Sequence, residues 1–338
     1  MKRLEIEELE YKILSPYAQK ARESKGRKKE EEEDELRTCF QRDRDRILHS
    51  KLFRRLKHKT QVFISPEGDH YRTRLTHTLE VAQIARVMAR ALDLNEDLVE
   101  AMALGHDVGH TPFGHAGEEV LKKLLPGFTH YGQSIRALSF LEAGEDRQGL
   151  NLSWEVLDGI MNHSGQKEAH TLEGRLLKFA DRIAYVNHDI DDSLRAGILR
   201  KEDIPREFSD ILGETSSQRI DRMVHGVIQA SFGKNEIAMA EPYFSHSEAL
   251  RQFMFDHVYT NQIVKGENAK LKQIIEDVFE YYMENPELLP QSHRMLYQED
   301  HFKDPLEYQV CDYIAGMTDA YLIRTYEELF IPQTWKRM

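Results

Sequence analysis

The 338-residue sequence predicts an all-α fold. Apolar residues recur at helical spacing through most of the chain, and no run alternates between apolar and polar residues as half-buried strands do. Candidate helix caps also separate the periodic segments. The pattern is clearest over 172–195, where one face carries Leu176, Leu177, Ala180, Ile183, Ala184 and Ile190 and where Gly197 is a candidate C-terminal cap. We therefore expect a helical bundle organised around this segment.

The expected elements follow in chain order. Within residues 17–35, the stretch 25–35 is two adjoining blocks of charge with almost nothing apolar to bury, so we expect 1–35 to form a mobile charged arm. Helical periodicity then covers 45–63, and the segment Ser65-Pro-Glu-Gly-Asp69 predicts a turn. A short hairpin over 62–71 is the alternative for this stretch.

The next helix is expected over 75–92, and the one after it is capped by Asn95 and broken by Gly109 and Pro112. Further helices are expected at 117–125, 133–143, 153–162, 172–195, 216–232, 245–259, 261–283 and 305–324. We divide the chain into a core at 36–200 and a helical C-terminal region at 201–338, for which the expected role is subunit contact.

Charge and composition exclude several classes of protein. The net charge of −12 argues against a general affinity for DNA or RNA. Residues 42–60 nevertheless hold eight basic against two acidic side chains, or +6, which suits a small polyanion or else a solvated helix face with internal ion pairs. No apolar stretch is long enough to span a membrane. Without an apolar leader, and with two cysteines at no metal or redox spacing, the expected location is the cytoplasm.

The segment from Gly105 to Glu118, GHDVGHTPFGHAGE, carries the chemistry. His106 and Asp107 offer one nitrogen and one oxygen donor from a single turn, so a complete metal site needs ligands from elsewhere in the chain. His77 precedes them near the start of a helix. Asp181 lies inside the long helix at the border of its apolar face, where a charged side chain needs a partner or a metal.

The ordered pattern of His77, then His106-Asp107, then Asp181 resembles the H…HD…D signature of the HD superfamily. The blocks RTRLTHTLEV, HDVGHTPFGHAGE, ADRIAY, RDRILHS, FRRLKHKTQV and HYGQSIR resemble, more specifically, the deoxyguanosine triphosphate triphosphohydrolase family. The resemblance covers about 42–197. It implies that His77, His106, Asp107 and Asp181 bind one divalent metal ion, with Mn or Mg expected and Co, Fe or Zn left open.

The resemblance also implies roles for other residues. His115 and Glu118, at i and i+3, are implied to act in catalysis near the α-phosphorus, although the same spacing suits a helix-start histidine with a capping glutamate. The remaining candidates are substrate contacts: Arg54, Lys59 and Arg74 for the triphosphate, His110 and His130 for phosphates or support of the base, and Tyr185 and Asp189 for the sugar or base. The last two suit equally a core tyrosine and an ion-paired aspartate.

The activity implied by the resemblance is hydrolysis of deoxynucleoside triphosphates to deoxynucleoside and inorganic triphosphate. Alternatives are another HD phosphohydrolase, such as a nucleotidase or phosphodiesterase, and a nucleotide-sensing oligomer whose hydrolysis is incidental. The H-E-x-x-H motif of zinc proteases is not matched, and no P-loop motif is present. The implied partners are a dNTP substrate, a second nucleotide as activator, and further copies of the chain.

Overall fold

The computed structural model describes residues 1–61, 71–142, 148–297 and 304–332, and within them every side chain except those of 262–266. These ranges contain sixteen α-helices and no β-sheet, and isolated β-bridges pair Arg27 with Ser153 and Thr60 with Thr73. The expected all-α fold is confirmed. No helix within these ranges combines the length and apolar character that crossing a bilayer requires.

The helices are, in order, α1 (Arg3–Ile13), α2 (Cys39–Leu48), α3 (Lys51–Arg55), α4 (Arg74–Ala91), α5 (Glu96–Gly105), α6 (His115–Leu124), α7 (His130–Arg136), α8 (Trp154–Asn162), α9 (Leu172–Arg195), α10 (Arg206–Leu212), α11 (Ser216–Ser231), α12 (Tyr243–Met254), α13 (Gln262–Glu284), α14 (Gln291–Met295), α15 (Leu306–Ala315) and α16 (Asp319–Phe330). Helix α9 has the expected bounds.

Two expected helices are divided in the structure. The segment 45–63 breaks after Leu48, because Ser50 caps a new short helix by accepting from the backbone N–H of Phe53. The segment 305–324 breaks at Gly316, and Thr318 caps α16 through the N–H of Tyr321. In both places a hydroxyl side chain supplies the hydrogen bond that a restarted helix needs. The alternative hairpin at 62–71 lies almost entirely outside the described residues.

The first apolar core is built on α4, α5 and α9. Buried side chains such as Met88, Leu98 and Leu176 meet there, and the core extends through α2 and α8 to residues of α10–α12. Because α4, α5 and α9 pack against one another, polar side chains on their facing surfaces are held at fixed positions inside the bundle. These are the helices that carry the expected metal ligands.

The second apolar core joins α6 to the C-terminal helices. Phe113, Val120 and Leu121 pack with residues of α13, α15 and α16, among them Ile275 and Ile314. The two cores therefore do not follow the expected division at residue 200. The first takes in residues as far as Val258, and the second begins within the expected catalytic segment.

The N-terminal segment differs from the expected mobile arm, because it is docked on the bundle. Glu10 accepts from the N–H of Ala21 and from the Nδ2 of Asn95, and Glu173 of α9 accepts from the N–H of Gln19 at 3.0 Å. Arg27 pairs with the buried Asp43. Apolar content alone could not show this docking, since hydrogen bonds and ion pairs to buried carboxyl groups contribute to it.

Candidate functional site

The four expected metal ligands meet between α4, α5 and α9. His77 lies on α4, His106 and Asp107 lie at the C-terminal end of α5, and Asp181 lies on α9. The Nε2 of His77 is 3.1 Å from Asp181 Oδ1 and 4.0 Å from Asp107 Oδ2. The Nε2 of His106 is 3.7 Å from an oxygen of each aspartate. We call these four side chains the metal cluster.

The hydrogen bonding of His106 suits a metal ligand. Its Nδ1 donates to the carbonyl of Ala103 at 2.6 Å, so the lone pair of a neutral ring is on Nε2. That Nε2 is buried and has no hydrogen-bond partner among the described residues. Burial lowers the pKa of His106, but Asp107 and Asp181 raise it by more, to about 9. The cluster therefore favours a positive charge at this point, which a divalent cation supplies, and its donor set fits such an ion.

Arg74 serves the metal cluster differently from the sequence-based expectation. Its side chain is only 2% exposed, and it donates to Asp107 Oδ2 at 2.6 Å. Burial raises the pKa of Asp107, but Arg74 and His106 together hold it well below its usual value. Arg74 thus keeps Asp107 ionised, while its Nε is buried without a partner in the described part of the chain.

The other two expected triphosphate contacts are not brought to the cluster. Lys59 is buried and donates to the carbonyls of His110 and Ala315, and burial lowers its pKa to about 7. Lys59 therefore ties the segment before α6 to the end of α15. Arg54 is exposed and donates to the carbonyl of His49.

A second group of side chains lies beside the metal cluster, comprising His110, His115, Glu118 and His130, and we call it the histidine–glutamate cluster. Glu118 accepts from both the N–H and the Nδ1 of His130, at 2.8 and 2.9 Å. Its distance to His115 Nδ1 is longer, 3.6 Å, and the His115 side chain is 82% exposed. The pair expected at i and i+3 is adjacent, but the shorter bonds of Glu118 go to a residue on α7.

The histidine–glutamate cluster contains a charged carboxylate, Glu118, and a neutral ring, His110. Burial raises the pKa of Glu118, but hydrogen bonds from His115 and His130 lower it by more, so that it is ionised. Burial and the neighbouring Arg74 guanidinium hold the pKa of His110 well below its usual value. The His110 ring stacks on that of His130 with centroids 4.7 Å apart and meets His115 edge-on at 5.4 Å.

His163, which sequence reasoning missed, joins the two clusters. It lies at the C-terminal end of α8, with its ring 5.0 Å from that of His106 and its Nε2 3.4 Å from His130 Nε2. Its Nδ1 donates to the carbonyl of Ile160, and burial lowers its pKa to about 4. No spacing relation links it to the His106-Asp107 pair, so only the packing of α8 against α5 shows its place.

Asp189 and Tyr185 follow Asp181 along α9, two turns and one turn later. Burial raises the pKa of Asp189 to about 7. Its Oδ2 accepts from the hydroxyl of Tyr259, a residue beyond the reach of the sequence patterns, while its Oδ1 is buried with no partner among the described residues. Tyr185 is half-buried. An unpartnered carboxyl oxygen beside two tyrosines suits a hydroxyl-bearing ligand.

Two known protein families match parts of this chain. The HD domain family matches residues 74–186, and the phosphohydrolase-associated domain family matches 237–328. A deoxyguanosinetriphosphate triphosphohydrolase-like protein from Caldanaerobacter subterraneus subsp. tengcongensis is 56% identical over 97% of this chain and 96% of its own length. One from Clostridium tetani is 46% identical over 98% of this chain and 97% of its own length.

The chain belongs to the deoxyguanosinetriphosphate triphosphohydrolase-like family of HD-domain proteins. It is therefore a hydrolase of the HD phosphohydrolase type. Among solved structures, a phosphohydrolase from Bacteroides thetaiotaomicron superimposes with a TM-score of 0.53 over 84% of this chain and 67% of its own, at 18% identity. That likeness bears on the helical fold alone.

Proposed function

We propose that this HD-domain hydrolase converts deoxynucleoside triphosphates to deoxynucleoside and inorganic triphosphate with one divalent metal ion. The observation that carries the proposal is the contact of the metal cluster with the histidine–glutamate cluster. His163 touches both, with ring centroids 5.0 Å from His106 and 5.4 Å from His130. A phosphoryl group at the first cluster then has ionisable side chains within reach at the second. The relatives are named as deoxyguanosinetriphosphate triphosphohydrolase-like proteins, which supports the substrate and the cleaved bond.

The metal cluster would hold the ion through His77, His106, Asp107 and Asp181, and Mn or Mg is the expected ion. When bound there, the ion supplies polarisation of a phosphoryl oxygen and neutralises part of the roughly four negative charges of a triphosphate. Arg74 keeps Asp107 in its anionic form as a ligand. Its guanidinium also adds a fixed positive charge next to the phosphate position.

In this proposal, the histidine–glutamate cluster provides the acid–base catalysis. Attack of water on the α-phosphorus forms a P–O bond and breaks the bond to the 5′-oxygen, which must gain a proton as it leaves. His115 stands at the N-terminus of α6 with its ring exposed, so in its protonated form it can give that proton. The proton that the attacking water loses then restores the protonated form of His115. Glu118 lies 3.6 Å from His115 Nδ1 and orients the ring.

The sugar is expected at Asp189. Its free Oδ1 is an acceptor for a sugar hydroxyl, and the bond from Tyr259 to Oδ2 fixes the carboxyl group in place. Tyr185, on the same face of α9, would pack against the sugar. This position is one and two turns along α9 from Asp181, which suits a substrate whose α-phosphate is at the metal cluster.

Product analysis tests the proposal. The purified protein is incubated with Mn²⁺ and each dNTP and NTP, and the products are separated by ion exchange. We expect deoxynucleoside plus triphosphate, with loss of turnover in Asp107→Ala and a fall of about 10²–10⁴ in kcat in His115→Ala. His225→Ala is the matched control, because His225 is an exposed helical histidine beside Asp221, on α11.

Two results would contradict the proposal. Monophosphate plus pyrophosphate would retain the metal cluster but overturn the assignment of the cleaved bond. No turnover with any substrate, in protein that contains metal, would favour the nucleotide-sensing alternative. A fall in kcat of equal size in His225→Ala would show that the His115 effect is not specific to the site.

A further inference from the structure

A row of three hydrogen-bonded side chains leads away from the metal cluster behind His77, and we call it the His77 triad. The Nδ1 of His77 is 3.3 Å from the Nδ1 of His188, and the Nε2 of His188 is 2.9 Å from Glu80 Oε2. Glu80 lies one turn after His77 on α4, and His188 lies two turns after Asp181 on α9. Both helices therefore contribute one metal-cluster residue and one further residue of the His77 triad.

The hydrogen bonds of the His77 triad have a fixed direction because its outer end is a carboxylate. An ionised carboxylate only accepts hydrogen bonds, so Glu80 takes the N–H of His188 at Nε2. A neutral imidazole has one N–H, which leaves the Nδ1 of His188 as an acceptor. The Nδ1 of His77 must then be the donor across the 3.3 Å contact, and the lone pair of His77 is on Nε2.

The Nε2 of His77 faces the metal cluster, where carboxylate oxygens of Asp181 and Asp107 are 3.1 and 4.0 Å away. A lone pair opposed to two carboxylate oxygens is unfavourable unless a cation lies among them. The tautomer that the His77 triad imposes on His77 is thus the one in which this residue binds a metal ion. His106 reaches the same tautomer differently, through the carbonyl of Ala103.

We propose that Glu80 and His188 are positioning residues that hold His77 in its metal-binding tautomer and orientation. The proposal rests on the metal cluster of the proposed function. Arg72 completes the arrangement, because its Nε is 3.0 Å from Glu80 Oε2 and its Nη1 is 3.3 Å from Asp192. The carboxylate of Glu80 is therefore held from one side by a cation and from the other by His188. Neither Glu80 nor His188 needs to touch the nucleotide for this role.

The test measures metal affinity without substrate. Metal-free protein is titrated with Mn²⁺, the free ion is followed by its paramagnetic resonance signal, and circular dichroism checks that each variant is folded. His188→Leu removes the acceptor for His77 at similar volume, and we expect the Mn²⁺ dissociation constant to rise about 10–100-fold. His188→Asn restores an oxygen acceptor near the position of Nδ1, and we expect its affinity to stay within a few-fold of the native value.

A second variant tests the same role at a part-exposed residue, so it does not require the buried site around His188 to accept a substitution. Glu80 is part-exposed, so Glu80→Ala is expected to fold, and to weaken Mn²⁺ binding several-fold because His188 then loses its fixed tautomer. Glu100→Ala is the control, since Glu100 is also a helical carboxylate paired with arginines, Arg44 and Arg86, but on a part of α5 away from the metal cluster. We expect no change in that variant.

The outcomes separate this proposal from the proposed function. Unchanged Mn²⁺ affinity in both His188→Leu and Glu80→Ala, with tight binding by the native chain, would overturn the positioning role and leave the metal cluster standing. Equal losses in folded His188→Leu and His188→Asn would also overturn it, because an acceptor at this position would then make no difference. A native chain that binds no Mn²⁺ would overturn the metal cluster itself, and this proposal with it.

Discussion

Gly109, two residues after Asp107, packs directly against the backbone of α7, and a methyl group there should push the two segments apart. A Cβ at position 109 would lie 2.0 Å from the backbone nitrogen of Ser134 and 2.4 Å from the carbonyl carbon of Gln133. Ordinary contact begins near 3.4 Å, so Gly109→Ala requires α7 to move by about 1.4 Å. Because the obstacle is backbone, no side-chain rotation relieves it.

The movement would break two hydrogen bonds. The N–H of Gly109 donates to Ser134 Oγ at 2.9 Å, and that hydroxyl donates to the carbonyl of His106 at 2.7 Å. Overpacking costs about 1–3 kcal/mol and each of the two lost hydrogen bonds about 1 kcal/mol, so we expect a loss of about 3–5 kcal/mol in the free energy of unfolding. His130 would move with α7, and a shift of this size is expected to lower kcat/KM by about 10²-fold.

Urea unfolding and steady-state kinetics measure the two effects. Gly132→Ala is the control on the same helix, because its Cβ would meet only the end of the Thr129 side chain, at 2.9 Å. We expect that variant to stay within about 1 kcal/mol of the native stability. If Gly109→Ala retained native stability and native kcat/KM, the close packing of α7 on the metal-binding segment would not be what positions His130.

Three further predictions concern the docked N-terminal segment, the metal and the assembly. Burial raises the pKa of Glu10 and Glu173 to about 7, so their contribution to docking is complete below about pH 4.5 and is lost as the pH rises through about 7. Tryptic cleavage within residues 1–35 should therefore quicken between about pH 5.5 and pH 8, relative to an unfolded reference peptide, and Glu173→Gln should flatten that dependence; a flat native profile would contradict the assignment. Mn²⁺ at about 100 times its dissociation constant should stabilise the native chain by about 2.7 kcal/mol in thermal unfolding, and Asp181→Ala should abolish the effect. Light scattering should give a mass above the 39.5 kDa of one chain, whereas a monomer at all concentrations would refute the oligomer that the family resemblance implies.

Sequence patterns predicted what depends on local spacing and on residue type. The bounds of α9 were predicted from its apolar face and from Gly197 at its end, and the structure adds the Thr171 cap at its start. The joint pattern of His77, His106-Asp107 and Asp181 identified side chains that the fold does bring together. These residues are widely separated along the chain. Their meeting was an expectation from family resemblance, and the packing of α4, α5 and α9 accounts for it.

The rest depends on contacts between distant segments, which no periodicity encodes. His163 and His188 stand in unremarkable local sequence, and each becomes informative only when a neighbouring helix places another histidine beside it. Lys59 belongs to a cationic segment, but its neighbours in space are carbonyl oxygens, so its positive charge is used to hold loops. Counting charge along the sequence could not separate that role from phosphate binding.

Asp319, at the start of α16, holds the turn from which α6 begins. Its carboxylate accepts from the backbone N–H groups of Thr60 and Phe113, and Phe113 and Gly114 both have positive φ, at 60° and 58°. The left-handed turn that presents His115 is therefore maintained by a residue more than two hundred positions later. A chain cut after α15 would retain the four expected metal ligands and the whole first core, and would still lack the support for the proposed proton donor, His115. Shortened versions of this enzyme should bind Mn²⁺ yet turn over little substrate.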